Sequence, residues 1–179
     1  KKISFSVLAI IIVLILSYFD IGFLGISISI LLILYLIKKY PSIKNFMLIA
    51  FMIRLAILFL DYSGFGVIGG KSDAIEYERV AAVWSSGGFS NWLNYNPGLS
   101  SYFLSWLIAF VYLITERSLL MAQSISLFVS MGSIFLGWFV AYKIWDNKNA
   151  VKVGWAMSLF PTLILYSTQV MREPFIIFF

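Results

Sequence analysis

Five stretches of this chain, residues 3–19, 21–37, 45–62, 119–142 and 153–170, stay apolar for about as long as a helix needs to cross a membrane. A hydrocarbon core of ~30 Å takes ~20 helical residues at a rise of ~1.5 Å each. Few folds remain open to such a chain, because lipid satisfies no peptide group and the backbone must bond within itself. Charged residues make up 12% of the sequence and its mean hydropathy is +0.96, whereas a soluble domain carries about 25% charge. The expected fold class is all-α, a polytopic transmembrane helix bundle forming a single domain over 1–179. No small-residue cleavage site follows the first run and a second run comes directly after it, so it reads as a span rather than a signal peptide. The start without methionine, and Pro174 followed by five apolar residues, read as the edges of a segment cut from a longer protein.

Cysteine and histidine are both absent. Disulfides and thiolate chemistry are thereby excluded, as are imidazole metal ligands and the usual near-neutral proton shuttle. Acid–base chemistry must use carboxylates, tyrosines, backbone or water. No Walker loop, nucleophile elbow, HExxH or dinucleotide fingerprint occurs. No cofactor is expected, and nothing in the residue pattern calls for a divalent metal.

Thirteen Lys and Arg against eight Asp and Glu give a net charge of +5. The cations are sorted along the chain, so the excess reads as a topology signal and not as a nucleic-acid footprint. Lysines cluster at Lys1 and Lys2, at Lys38, Lys39 and Lys44, and at Lys143, Lys148 and Lys152. The positive-inside rule assigns all three clusters to the cytoplasm. The segment 62–118 is then external, with helices expected over 73–85 and 99–115. The second of these is itself an apolar run. If it crossed the membrane, the last lysine cluster would land outside, so it is read as a juxtamembrane helix lying in the interface, with Tyr102, Trp106 and Tyr112 as interfacial rings. The turn-rich stretch Ser85–Gly98 reads as an ordered surface loop. Small residues at Gly22, Gly25 and Ser29, and at Ser126, Ser130, Ser133 and Gly137, read as close helix contacts.

The segment SDAIEYERVAAVW, Ser72 to Trp84, is the candidate site. Asp73, Glu76, Tyr77, Val80 and Trp84 fall along one helical stripe. Asp73 and Glu76 also fit a capping box at a helix start, and both readings stay open. Glu78 and Arg79 read as solvated or headgroup neighbours. Arg54, within the third span, is either a structural charge satisfied by neighbouring carbonyls and hydroxyls or an anchor for an anionic substrate. Arg172 and Glu173, after the proline-bearing span, read as an external phosphate-binding pair or an interfacial anchor with its countercharge.

The third span followed by SDAIEYERVA, then YNPGLSSYF, KIWDNKNAVKVGWAMSLFP and LYSTQVMREPF, resembles polytopic glycosyltransferases of the glycosyltransferase-C superfamily. In style it is similar to bacterial protein-mannosyltransferases and lipid A aminoarabinose transferases. The resemblance runs from about Phe46 to the end and leaves out the first two spans. It implies a plasma-membrane hexosyltransferase with its active site on the extracytoplasmic side. A polyprenyl-phosphate-linked donor would give its sugar to a glycan, lipid or protein acceptor. It also implies Asp73, or Glu76, as general base, Tyr77 and Glu173 as substrate contacts, and Arg172 with Arg54 balancing charge on the departing phosphate. Membrane lipids are the other partner, and no nucleic acid is expected. Two other functions fit the same composition: an O-antigen-type polysaccharide polymerase or ligase, and a transporter or flippase.

Overall fold

The computed structural model describes residues 15–65, 71–95, 97, 98, 100 and 102–178, and every element among them is helical. The expected first span therefore lies outside the described residues except for 15–19, which are helical. Helix α1 is Gly22–Lys39. A 3-10 turn at Pro41–Ile43 leads into α2, Lys44–Tyr62. Then follow α3, Lys71–Ser86, α4, Gly88–Asn94, and α5, Phe103–Ile114. The long helix α6 is Leu119–Ile144, and α7, Asn147–Leu159, α8, Pro161–Thr168, and α9, Glu173–Phe178, follow it.

Among the described residues three helical segments are long and apolar enough to cross a membrane: Gly22–Lys39, Pro41–Tyr62 and Leu119–Ile144. The pair α7 and α8, bent by 57° at its break, makes a fourth if counted as one span. Pro161 within the run 153–170 is expected to kink it or end its first half, and the bend falls at that residue. The helix begins earlier, where Asp146 caps it by accepting from the Asn149 amide at 2.7 Å, and it breaks where Pro161 brings no N–H to continue the ladder. The expected helix over 99–115 is also shorter. Phe103–Ile114 has 12 residues, about 18 Å at helical rise, well short of the hydrocarbon thickness.

Helix α6 is the centre of the bundle, and α1, α2, α7, α8 and α9 all pack on it. Small residues allow this. A Cβ on Gly22 would stand 2.6 Å from Leu120, and one on Gly25 would overlap the Ser124 hydroxyl. Gly154 admits the Phe46 ring in the same way, at 2.6 Å. The buried core runs through Ile33, Phe46, Met47, Leu58, Leu127, Met131 and Trp138.

The two ends of the bundle differ in charge. Tyr40, after α1, packs against Trp138 near the end of α6, with ring centroids 5.3 Å apart, and Phe46 meets Trp155 of α7. Lys38, Lys39, Lys44, Lys143, Lys148 and Lys152 thus gather at one end. At the other end Asp20 accepts from Ser118 Oγ at 2.6 Å and from Tyr62 Oη at 2.9 Å, and Asp61 accepts from Gln123 at 2.7 Å. Tyr62 and Ser118, which bracket the α3–α5 segment, are therefore neighbours at this acidic end. The intervening helices form a platform there.

The stretch after Ser85, expected as a loop, contains α4. Gly88 turns the chain with φ +77°, a conformation that a side chain resists. Seven residues do not hold a helix alone. Trp92 and Trp106 hold it, each donating its indole N–H to the other's carbonyl, at 2.8 and 3.2 Å, with rings stacked at 4.3 Å.

Candidate functional site

Three carboxylates leave helix α3, and the structure gives them three different surroundings. Glu78 is buried, contrary to its expected solvated position. It accepts from Arg117 Nε at 2.9 Å and Nη2 at 2.8 Å, a bidentate pair, and from Tyr112 Oη at 3.1 Å. These bonds fasten α3 to α5 and to the entry of α6. Burial first, and then the Glu78 charge, push the Tyr112 hydroxyl above its ordinary pKa, and the Glu78 hydrogen bonds raise that of Arg117. Glu76 pairs with Arg79 one turn on, at 2.8 and 3.0 Å, and the Arg79 hydrogen bond lowers its pKa. That pair is solvent-facing, so its contribution to stability is small. Asp73 is exposed in the first turn, where the helix dipole favours an anion, and meets the Ser72 hydroxyl at 3.4 Å. Tyr77 stands half-buried one turn further on. Its ring meets Tyr102 edge-on at 5.9 Å, and its carbonyl accepts from Ser105. The platform is thus cross-linked through Glu78, Tyr77 and their partners, and the Asp73 carboxylate is exposed.

Arg54 answers to the structural reading. It is 0% exposed and its guanidinium is engaged by neutral acceptors. Nε donates to Ser130 Oγ at 3.2 Å, Nη1 to the Ser158 and Ala50 carbonyls at 2.9 and 3.3 Å, and Nη2 to the Met157 carbonyl at 3.4 Å. The cause is the break in the α7–α8 pair. An uninterrupted helix would bond the amide of residue 161 to the carbonyl of Met157, but proline has no such hydrogen. Arg54 supplies the missing donors from a neighbouring helix. Held this way, the guanidinium is turned to protein carbonyls and the Ser130 hydroxyl and not to solvent.

Arg172, just before α9, is exposed, and Glu173, the first residue of α9, is half-buried. Pro174, next to Glu173, accepts through its carbonyl from Ser133 Oγ at 3.3 Å, and Phe178 lies against Gly132. Ser133 is fourteen residues into α6, about 21 Å from its start. The segment from Gln169 to Phe178 therefore folds back along the middle of α6. Among the described residues no hydrogen bond or ion pair joins Asp73, Glu76 or Tyr77 to Arg172 or Glu173. Nor do three His, Cys, Asp or Glu side chains among them converge to hold a metal ion.

No protein-family model, curated protein or solved structure matches this chain.

Sequence reasoning missed two polar groups. Asp20, Tyr62 and Ser118 form a knot where 15–19, α2 and α6 meet, beside a cleft of about 860 Å³ that Arg117 and Glu116 also line. Gln123, Ser126, Ser130 and Ser133 form a buried polar stripe on α6. The signal for the stripe is the three- and four-residue spacing of small residues, which by itself indicates packing. Gln123, three residues before Ser126, was the sign that the stripe is polar and not merely small.

Proposed function

We propose that this chain is a polytopic plasma-membrane glycosyltransferase unit, with the lysine end in the cytoplasm and the acidic end outside. It transfers a sugar from a polyprenyl-phosphate-linked donor to a glycan, lipid or protein acceptor. The observation that carries this reading is the α3–α5 platform. Two of its three α3 carboxylates are engaged by arginines, and Asp73 is left exposed. The order of the elements adds support, since a span ending at Tyr62 is followed by short helices and a return at Leu119. The bent α7–α8 pair adds more, because irregular backbone at membrane depth is tolerated where it is enclosed by protein or lines an aqueous cavity.

In this reading Asp73 accepts the proton of an acceptor hydroxyl as that oxygen bonds to the anomeric carbon and the bond to the polyprenyl phosphate breaks. Arg172, exposed beside the fold-back, balances the charge gathering on the departing phosphate. Glu76 takes a secondary part, because its exposed pairing with Arg79 is readily exchanged. Tyr77, on the same stripe as Asp73, orients the acceptor, and Glu173 the donor sugar. The test is sugar transfer in membranes carrying the protein and a polyprenyl-phosphate sugar. Asp73→Asn is expected to lower turnover by about 100-fold or more, while Glu76→Gln keeps most of it. Full transfer by Asp73→Asn would remove Asp73 as the base. Discontinuous helices and a buried midspan cation also occur in transporters. Uptake of the lipid-linked sugar without any glycan product would favour that function instead.

A further inference from the structure

The cleft of about 860 Å³ at the acidic end lies where three segments meet: 17–21 leading into α1, Tyr62 closing α2, and 114–119 joining α5 to α6. Sites for small ligands run to ~300–1,000 Å³. Its walls carry charge of both signs. Asp20 accepts from the Gly22 amide at 2.7 Å, from Ser118 Oγ at 2.6 Å and from Tyr62 Oη at 2.9 Å, all neutral donors. A carboxylate offers about four acceptor positions, so one remains. Glu116 is exposed, and among the described residues neither it nor Asp20 has a lysine or arginine within ion-pair distance. Ser17 Oγ, in the same wall, is buried without a hydrogen-bond partner among the described residues.

Arg117 is the cation of the cleft. Its Nε and Nη2 donate to Glu78, which leaves Nη1 for another acceptor on a side chain 64% exposed. It precedes Ser118 in the chain, and Ser118 bonds Asp20, so the cationic and anionic parts stand side by side. Tyr18 and Phe19 add exposed rings, whose faces attract an ammonium group. The surroundings are apolar: Ile15, Leu16, Ile114 and Leu119 are exposed beside these polar groups. The cleft also stands where the spans Pro41–Tyr62 and Leu119–Ile144 end, which is the level of lipid headgroups.

We propose that the cleft holds the headgroup of an ethanolamine phospholipid from the leaflet at this end of the bundle. The primary ammonium has three N–H donors for Asp20, Glu116 and the Ser17 hydroxyl, and the phosphate accepts from Arg117 Nη1. The acyl chains run along the exposed apolar residues. An anionic headgroup would meet two carboxylates that no cation balances, and a choline headgroup has no N–H to donate. Bound there, the lipid ties 15–19 and α2 to the platform through the Arg117–Glu78 pair. It does not depend on the chemistry at Asp73.

The test uses the full chain purified in detergent, with ethanolamine, choline and glycerol phospholipids of identical acyl chains, and reads lipid binding by native mass spectrometry. The ethanolamine lipid is expected to bind about tenfold more tightly than either of the others, the size of one charge-assisted hydrogen bond. Asp20→Asn and Glu116→Gln should each reduce that preference by about fivefold or more. Equal binding of the three lipids, or a preference for the glycerol lipid, overturns the proposal. So does a preference for ethanolamine that survives both substitutions, because the lipid then sits elsewhere. Should Asp20→Asn fail to fold, Glu116→Gln and Tyr18→Ala, both on exposed side chains, carry the test, and an unchanged preference in both overturns it. Soluble phosphoethanolamine that competes as well as the lipid itself would overturn the assignment to a phospholipid.

Discussion

Removing the Glu78 carboxylate tests whether the platform is held as its geometry indicates. Glu78→Ala deletes a bidentate pair with Arg117 and an acceptor for the Tyr112 hydroxyl, which keeps the Ser118 carbonyl at 2.9 Å. Hydrogen bonds to charged groups contribute ~1.5–3 kcal/mol each when buried. The Arg117 side chain is 64% exposed and that of Glu78 10%, so water recovers the guanidinium and screens the pair. About 1 kcal/mol for the ion pair and about 1 kcal/mol for the Tyr112 bond leave a loss of about 2 kcal/mol. For a chain of this size that lowers the melting temperature by about 4–8 °C. Trp84, Trp92 and Trp106, half of the six tryptophans, lie in the platform, so intrinsic fluorescence in detergent reports on it together with the bundle. Arg117→Ala is expected to cost at least as much, because it leaves a buried carboxylate without its cation. The double variant should cost less than the two singles together. A Glu78→Ala protein melting within about 1 °C of the parent, or strict additivity in the cycle, would refute the reasoning.

The other predictions concern the break, the helix contact and alkaline pH. Pro161→Ala restores an amide to the Met157 carbonyl, so Arg54→Gln is expected to destabilise the bundle less in that background than in the parent, by about 1 kcal/mol in unfolding experiments. Gly25→Val drives a side chain into Ser124 and is expected to cost about 1–3 kcal/mol. Ser124→Gly should return part of that loss, and no return would mean that α1 and α6 do not touch there. The raised pKa of Tyr112 implies stability that is fully present below the unfolded tyrosine value of about 10 and is lost as pH rises beyond it towards the folded value. Melting temperature measured from pH 8 upwards should fall less steeply above about pH 10 in Tyr112→Phe than in the parent.

The helices long enough to span and the two charged ends could be read from the chain itself. Both depend on local quantities: the length of an apolar run against the thickness of hydrocarbon, and the placement of lysines at its flanks. The site of the break was equally plain in Pro161, since a missing N–H is a property of one residue. Tertiary structure decided what each charge does. Glu76, Glu78 and Asp73 look alike in sequence, yet Glu78 is buried because Arg117, 39 residues away, reaches it, while Asp73 faces outwards. Arg54 caps carbonyls that Pro161 leaves open more than a hundred residues later, its bond to Ser158 spanning 104 positions. The helix at Gly88–Asn94 exists because two tryptophans exchange hydrogen bonds, and α9 lies along α6 because Gly132 and Ser133 receive it. Hydropathy and spacing are summed along the chain and so can be read there. The partner of a buried charge is set by which distant groups the packed helices bring within about 3 Å of it.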